Sequence, residues 1–201
     1  MNPRPAFVVA LLLSVSSAAL ADDKADCFAN FEQLLDSDPA RAAEACQRLA
    51  EGGNANAQNN LGFLYGSGLG VEPDLEKAAT WFRQAAEAGH VSAQHNLGFL
   101  YEKGIGLKQD EKEAATWYRK AARGGYAPAQ INLGSLYQDG RGVAKDPVKA
   151  YAWYAVAATR LTGDEQVAAQ GNRDLVAQTM TPEQIKAAER LADNLLKDQP
   201  E

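Results

Sequence analysis

The chain has 201 residues, with 26 acidic against 20 basic side chains, a formal net charge of -6 and two cysteines. An acidic chain with scattered lysines repels nucleic acid and anionic lipid, so neither is expected as a partner. Beyond the first 21 residues no stretch is long and apolar enough to cross a membrane as a helix.

Met1–Ala21 reads as a secretory signal: Arg4 supplies a positive start, Ala6–Val15 a short apolar run, and Ala19-Leu20-Ala21 a small-x-small cleavage site. A retained anchor is the alternative, but a spanning helix needs about 20 apolar residues. Cleavage makes Asp22 the first residue of a 180-residue mature chain (201 minus 21) and removes one charge, Arg4, moving the balance from -6 to -7. Lys24-Ala25-Asp26 ahead of Cys27 is unlike a lipoprotein cleavage site, no N-x-[ST] sequon occurs, and Asp198-Gln199-Pro200-Glu201 carries no retention signal. The expectation is a periplasmic or secreted protein.

The next two segments share one interval. From Ala57 to Ala158 a pattern is written three times, 36 residues apart, with Leu61, Leu97 and Leu133, Tyr65, Tyr101 and Tyr137, Asp74, Asp110 and Asp146, and Trp81, Trp117 and Trp153 in register. Subtracting 36 from Asp74, Ala78, Phe82 and Gly89 lands on Asp38, Ala42, Cys46 and Gly53, so residues 22–56 read as a degenerate first unit. Pro39–Glu51 fills its second-helix slot, and Cys27–Leu35 a shortened first helix. Both cysteines then fall on one helix pair of an exported chain. A Cys27–Cys46 disulfide is predicted, worth on the order of 3 kcal/mol to an end unit with no neighbour on one side. The alternative is two buried thiols acting as small hydrophobes.

Within each full copy, Ala57, Leu61, Leu64 and Tyr65 fall at i, i+4, i+7 and i+8, the stripe that one face of a helix buries. Gly68-Leu69-Gly70, Gly104-Ile105-Gly106 and Gly140-Arg141-Gly142 end that helix. None follows a strand, so they are turns and not phosphate cradles. Asp74, Asp110 and Asp146 are placed to cap a second helix, which buries Ala78, Trp81, Phe82, Ala85 and Ala86 in the first copy.

The pattern A-Q-x-N-L-G-x-L-Y, then G-x-G, then D-x-x-x-A-x-x-W-[FY]-x-x-A-A resembles the Sel-one-like repeat, a relative of the tetratricopeptide repeat. The resemblance covers about half of the chain. It implies an all-α, right-handed α-α superhelical solenoid of about 36-residue helix-turn-helix repeats with helical caps. The domains are then residues 1–21 (signal peptide), 22–56 (degenerate repeat), 57–160 (three repeats) and 161–201 (cap).

The tail leaves the pattern but stays helical. One helix runs from Gly163-Asp164 to about Gln178; Thr181-Pro182-Glu183-Gln184 is a capping box that opens another, whose stripe of Ile185, Ala188, Leu191, Ala192 and Leu195 closes the stack. A partner-binding amphipathic helix is the alternative.

Chemistry returns mostly negatives. His90 and His95 are the only histidines and lack ligand-spaced partners, so no metal site is predicted. No G-x-S-x-G elbow, S-x-x-K serine or Cys-x-x-Cys pair occurs, and no catalytic residue or cofactor is predicted. Glu76, Glu87, Glu111 and Glu113 follow solvent faces of helices. What remains is the outer face of each first helix. With Ala57 as zero at 100° per residue, Asn59, Phe63 and Asn60 lie near about 200°, 240° and 300°, away from the buried stripe. His95, Phe99 and Asn96, then Ile131, Ser135 and Asn132, occupy the same slots. Stacked repeats turn these slots into a band on the concave wall, where asparagine can hold a peptide backbone and phenylalanine offers an apolar pocket. The alternative is that the asparagines bond to neighbouring helices and the phenylalanines fill gaps. The expected function is an exported scaffold that takes a protein or peptide partner in this groove, and the resemblance implies regulators of sensors, envelope assembly or exopolysaccharide production. Two other classes stay open: a peptidoglycan-related or β-lactam-hydrolysing enzyme, since cysteine-rich members of the family have been linked to penicillin recognition, and a purely structural assembly subunit.

Overall fold

The computed structural model describes residues 17–199, so most of the predicted signal segment, residues 1–16, lies outside the described residues. Among the described residues eleven α-helices follow one another: α1 (Ser17–Lys24), α2 (Phe31–Ser37), α3 (Pro39–Glu51), α4 (Ala55–Ser67), α5 (Leu75–Glu87), α6 (Val91–Lys103), α7 (Glu111–Arg123), α8 (Ala127–Asp139), α9 (Pro147–Arg160), α10 (Gly163–Ala177) and α11 (Pro182–Lys197). A π-helical turn, Ala25–Ala29, joins α1 to α2. No strand occurs among the described residues. The architecture is a solenoid: α4/α5, α6/α7 and α8/α9 are helix-turn-helix units, closed at each end by further helices.

The repeated residues explain why each unit looks like the last. Gly68, Gly104 and Gly140 end the first helices in the left-handed region, with φ of 69°, 67° and 76°. The chain then returns so that the backbone N–H of Asp74, Asp110 and Asp146 donates to the carbonyl of Tyr65, Tyr101 and Tyr137, 2.9 Å each time. Each aspartate carboxylate accepts from the first turn of its helix, as does Asp38 from the Arg41 N–H. A second glycine series sets how closely the two helices of a unit approach. A Cβ at Gly62, Gly98 or Gly134 would stand 2.9, 2.7 and 2.9 Å from the ring of Phe82, Tyr118 and Tyr154, so only a bare backbone lets the ring lie flat there.

Where the rings carry hydroxyls, the chain supplies acceptors. Tyr118 donates to Glu102 (2.8 Å) and Tyr154 to Gln138 (2.9 Å), whereas the corresponding slot opposite Phe82 is Gly66. Units are joined by a buried glutamine: Gln58, Gln94 and Gln130 donate to the carbonyls of Ala50, Ala86 and Ala122 at 3.2, 3.1 and 3.0 Å. Trp117 and Trp153 are buried, while Trp81 is only partly so.

The ends depart from the sequence expectation in informative ways. The shortened first helix of the N-terminal unit is split in two. Cys27 lies in the π-turn continuous with α1, and α2 buries no residue. The wider π-turn faces Cys27 toward α3, where it is joined to Cys46 with a Cα separation of 4.9 Å. Ion pairs assist: buried Asp23 accepts from Arg48 at 2.6 Å, and buried Asp26 from Arg41 at 2.7 Å. At the other end the tail keeps one feature of the repeat, because Gln166 donates to the Ala158 carbonyl at 3.0 Å as its three counterparts do. α11 opens with the predicted capping box and lays Ala188 and Ala192 against α9, flanked by Ile185, Leu191 and Leu195. Gln199 is then buried, accepting from Gln130 and Arg160 and donating to the Ala122 carbonyl.

Candidate functional site: the face of the first helices

The band slots of α4, α6 and α8 are brought together by stacking, and the contacts among them form a one-way chain. Asn132 Nδ2 donates to His95 Nε2 (3.1 Å); His95 Nδ1 faces Asn96 Oδ1 (3.4 Å); Asn96 Nδ2 donates to Asn59 Oδ1 (3.2 Å); Asn59 Nδ2 donates to Asn60 Oδ1 (3.4 Å); and Asn60 Nδ2 ends on the Cys27 carbonyl (2.9 Å). An amide nitrogen only donates, so His95 accepts at Nε2 and carries its proton on Nδ1. Burial pushes the His95 imidazole below its ordinary value, against the opposing pull of the Asn96 contact and the Glu102 charge, and so favours this neutral ring. Tyr118 and Tyr126 flank it at centroid separations of 5.6 and 5.2 Å. His90 stands outside this chain and caps a helix, its Nδ1 accepting from the Ala93 N–H at the start of α6.

The third member of each slot set behaves differently. Phe63 and Phe99 are 46% and 41% exposed. Ser135 instead accepts from Arg141 (3.2 Å), and Ile131 packs against Ala157, Ala158 and Ala169 at the junction with α10. The band is therefore open over the first two repeats and occupied by the chain itself over the third.

Several residues here were missed from the sequence. Phe28, 36% exposed, lines a cleft of about 440 Å³ with Phe31, Glu32, Asn56, Asn60 and His90, so the N-terminal unit extends the face. A one-unit step from Phe63 lands on Cys27, which hid its neighbour Phe28. Glu102 was also missed. Burial raises its carboxyl, but hydrogen bonds from Arg141, Lys103 and Tyr118 outweigh that and hold it below the usual carboxylate range. Burial and the Glu102 contact in turn push the Tyr118 phenol far up, and burial takes Tyr154 to about 12, so both are neutral donors. The Glu102–Arg141 pair bridges α6 to the turn after α8 and marks where the open face ends. Among the described residues no group of three or more histidine, cysteine and acidic side chains converges as a metal site would require.

A family model described as Sel1 repeat matches residues 55–90, 91–126 and 127–160, which is more than half of the chain. The chain belongs to the Sel1 repeat family. Among solved structures, this Sel1 repeat chain is similar to a protective antigen present in uropathogenic Escherichia coli strains displaying an SLR fold, with 35% identity and a TM-score of 0.78 over 90% of this chain. The match spans 39% of the antigen's own length. It is also similar to a Sel1 repeat protein from Oxalobacter formigenes, with 29% identity, a TM-score of 0.67, and coverage of 88% of this chain and 76% of that one. A search of curated proteins finds no match.

Proposed function

We propose that this Sel1 repeat protein is an exported, non-catalytic scaffold that holds a segment of a partner protein along the face of α4 and α6, with the groove closing at the Glu102–Arg141 pair. The observation that carries the reading is the pair Phe63 and Phe99. They are large apolar side chains left about half exposed in the same slot of successive repeats, beside a hydrogen-bonded floor. Export is supported by the signal-like start of the sequence and by the Cys27–Cys46 disulfide, which persists in oxidising compartments.

Because Asn96 belongs to the floor, the informative change removes the rings and leaves the amides. Phe63→Ala with Phe99→Ala should reduce recovery of crosslinked partner from the native compartment at least tenfold, each ring being an interface anchor, while helicity by circular dichroism stays unchanged. Full recovery by that variant would sink the groove.

A further inference from the structure

Resting on that reading, we infer that the segment taken by this face carries a lysine or arginine side chain that seats in the cleft of the N-terminal unit. Its charge lies on Glu32 and its hydrocarbon stem on Phe28, with an apolar side chain following on Phe63. Three observations converge on a cationic anchor.

The first is what lines the cleft. Phe28, Phe31 and Glu32 come from the N-terminal unit, Asn56 and Asn60 from α4, and His90 from the start of α6, around a volume of about 440 Å³. Aromatic faces attract a cation, and the exposed Glu32 supplies a counter-charge beside them. Lysine and arginine join a long hydrocarbon stem to a charged tip, which matches walls of rings ending in a carboxylate.

The second is charge. His90 is no rival cation: its Nδ1 accepts from the Ala93 N–H, which leaves the proton on Nε2, and burial holds the ring below its ordinary value. Glu32 is therefore the one ionised group that lines the cleft. Both arginines of its unit are engaged elsewhere, Arg41 by Asp26 and Arg48 by Asp23 and Glu44, so Glu32 is left unmatched among the described residues. The wider field has the same sign. Residues 22–56 carry eight acidic side chains against three basic ones, net -5, whereas residues 57–160 carry ten against twelve, net +2. A cation that approaches the face is drawn to this end.

The third is continuity. Asn56, Asn60 and Phe63 fall at i, i+4 and i+7 of α4, one stripe of the helix, so the cleft opens onto the first exposed ring one turn beyond Asn60. At the far end of the face Lys103 stands 6.0 Å from the centroid of Phe99 and pairs with Glu102. A positive charge already attends that ring, and a second would be repelled there. The anchor has one place to go.

The test titrates the oxidised chain with three capped peptides of sequence X-Ser-Leu-Ser-Leu, where X is arginine, citrulline or glutamate. Citrulline keeps the shape of arginine without its charge. Calorimetry should find the arginine peptide bound about fivefold more tightly than the citrulline peptide, as expected for one exposed ion pair with a cation–ring contact, and the glutamate peptide bound most weakly. Glu32→Gln should abolish the arginine preference. Glu44→Gln removes the same charge from an exposed position on α3, and should leave the preference standing. Equal affinity for the arginine and citrulline peptides, a preference that survives in Glu32→Gln, or one lost equally in Glu44→Gln overturns the assignment. If no peptide binds while partner recovery from cells still depends on Phe63 and Phe99, the cationic anchor fails and the scaffold reading stands. If that dependence is also absent, both fail.

Discussion

The two ends of the solenoid meet the same demand with different chemistry. At the C-terminal end α11 covers α9 with an apolar stripe, and buried Gln199 bonds to Gln130, Arg160 and the Ala122 carbonyl. At the N-terminal end α2 adds only the partly buried Phe31 and Leu35, and closure relies on the Cys27–Cys46 crosslink and on Asp23 and Asp26 paired with Arg48 and Arg41. A short end unit with too little apolar surface for a core of its own relies on a covalent link and ion pairs, whereas a long amphipathic helix needs neither.

The largest expected effect tests the apolar end. Removing residues 182–201 uncovers Ala152 and Val156 and forfeits the burial of Ala188 and Ala192 and the partial burial of Ile185, Leu191, Leu195 and Leu196, on the order of 5 kcal/mol, read as a lower urea midpoint and a tendency to associate. A stability loss below about 1 kcal/mol would mean that α11 is not the closing element. Next comes the covalent end: Cys27→Ala with Cys46→Ala should cost about 3 kcal/mol by the same assay, with α11 variants adding independently because the sites are far apart. Strong non-additivity would break the view of two separate closures. Smaller again is Arg48→Met, which strands the buried Asp23 carboxylate and is expected to cost about 1–2 kcal/mol, since the arginine itself is half exposed.

The smallest effect concerns the thread between the ends. His95 is shifted down by burial, so the unfolded chain binds its proton first. The stabilisation from the neutral ring is complete above the ordinary imidazole value of about 6.5 and is lost as pH falls below it through the depressed folded value. His90, lowered by burial alone, adds in the same direction. The urea midpoint should fall from pH 7.5 to 5.5 by a margin that shrinks in His95→Gln; an unchanged margin would remove His95 from the ladder's account.

Much of this was legible because it repeats. The helix pairs, the aspartate caps, the left-handed glycines and the Thr181 capping box each follow from a residue type in a fixed register, and the Cys27–Cys46 pairing followed from mapping both residues onto one unit. The positions themselves were less informative where contact depends on which unit lies next. Asn59 meets Asn96 and His95 meets Asn132 at an offset of 37, one residue beyond the period, while Glu102 meets Arg141 at 39 and Gln199 reaches Ala122 at 77, partners that the repeat alone does not single out. The same slot also changed its role: a position read as one continuous band is phenylalanine and exposed twice, then serine and engaged by Arg141. Gln166 lay in plain register, yet its unrepetitive neighbours concealed that α10 inherits a first-helix contact.

The polarity of the asparagine ladder limits how such an array can grow. Each unit passes a donor to the one before it and must offer an acceptor to the one after. Asn59 and His95 offer one, whereas Ile131 offers none. Duplication of an inner hairpin would splice into the relay without altering a single bond type, but a unit appended behind α9 would arrive with an amide and find a hydrocarbon. Length in this molecule is thus gained from the middle, and the isoleucine acts as its full stop.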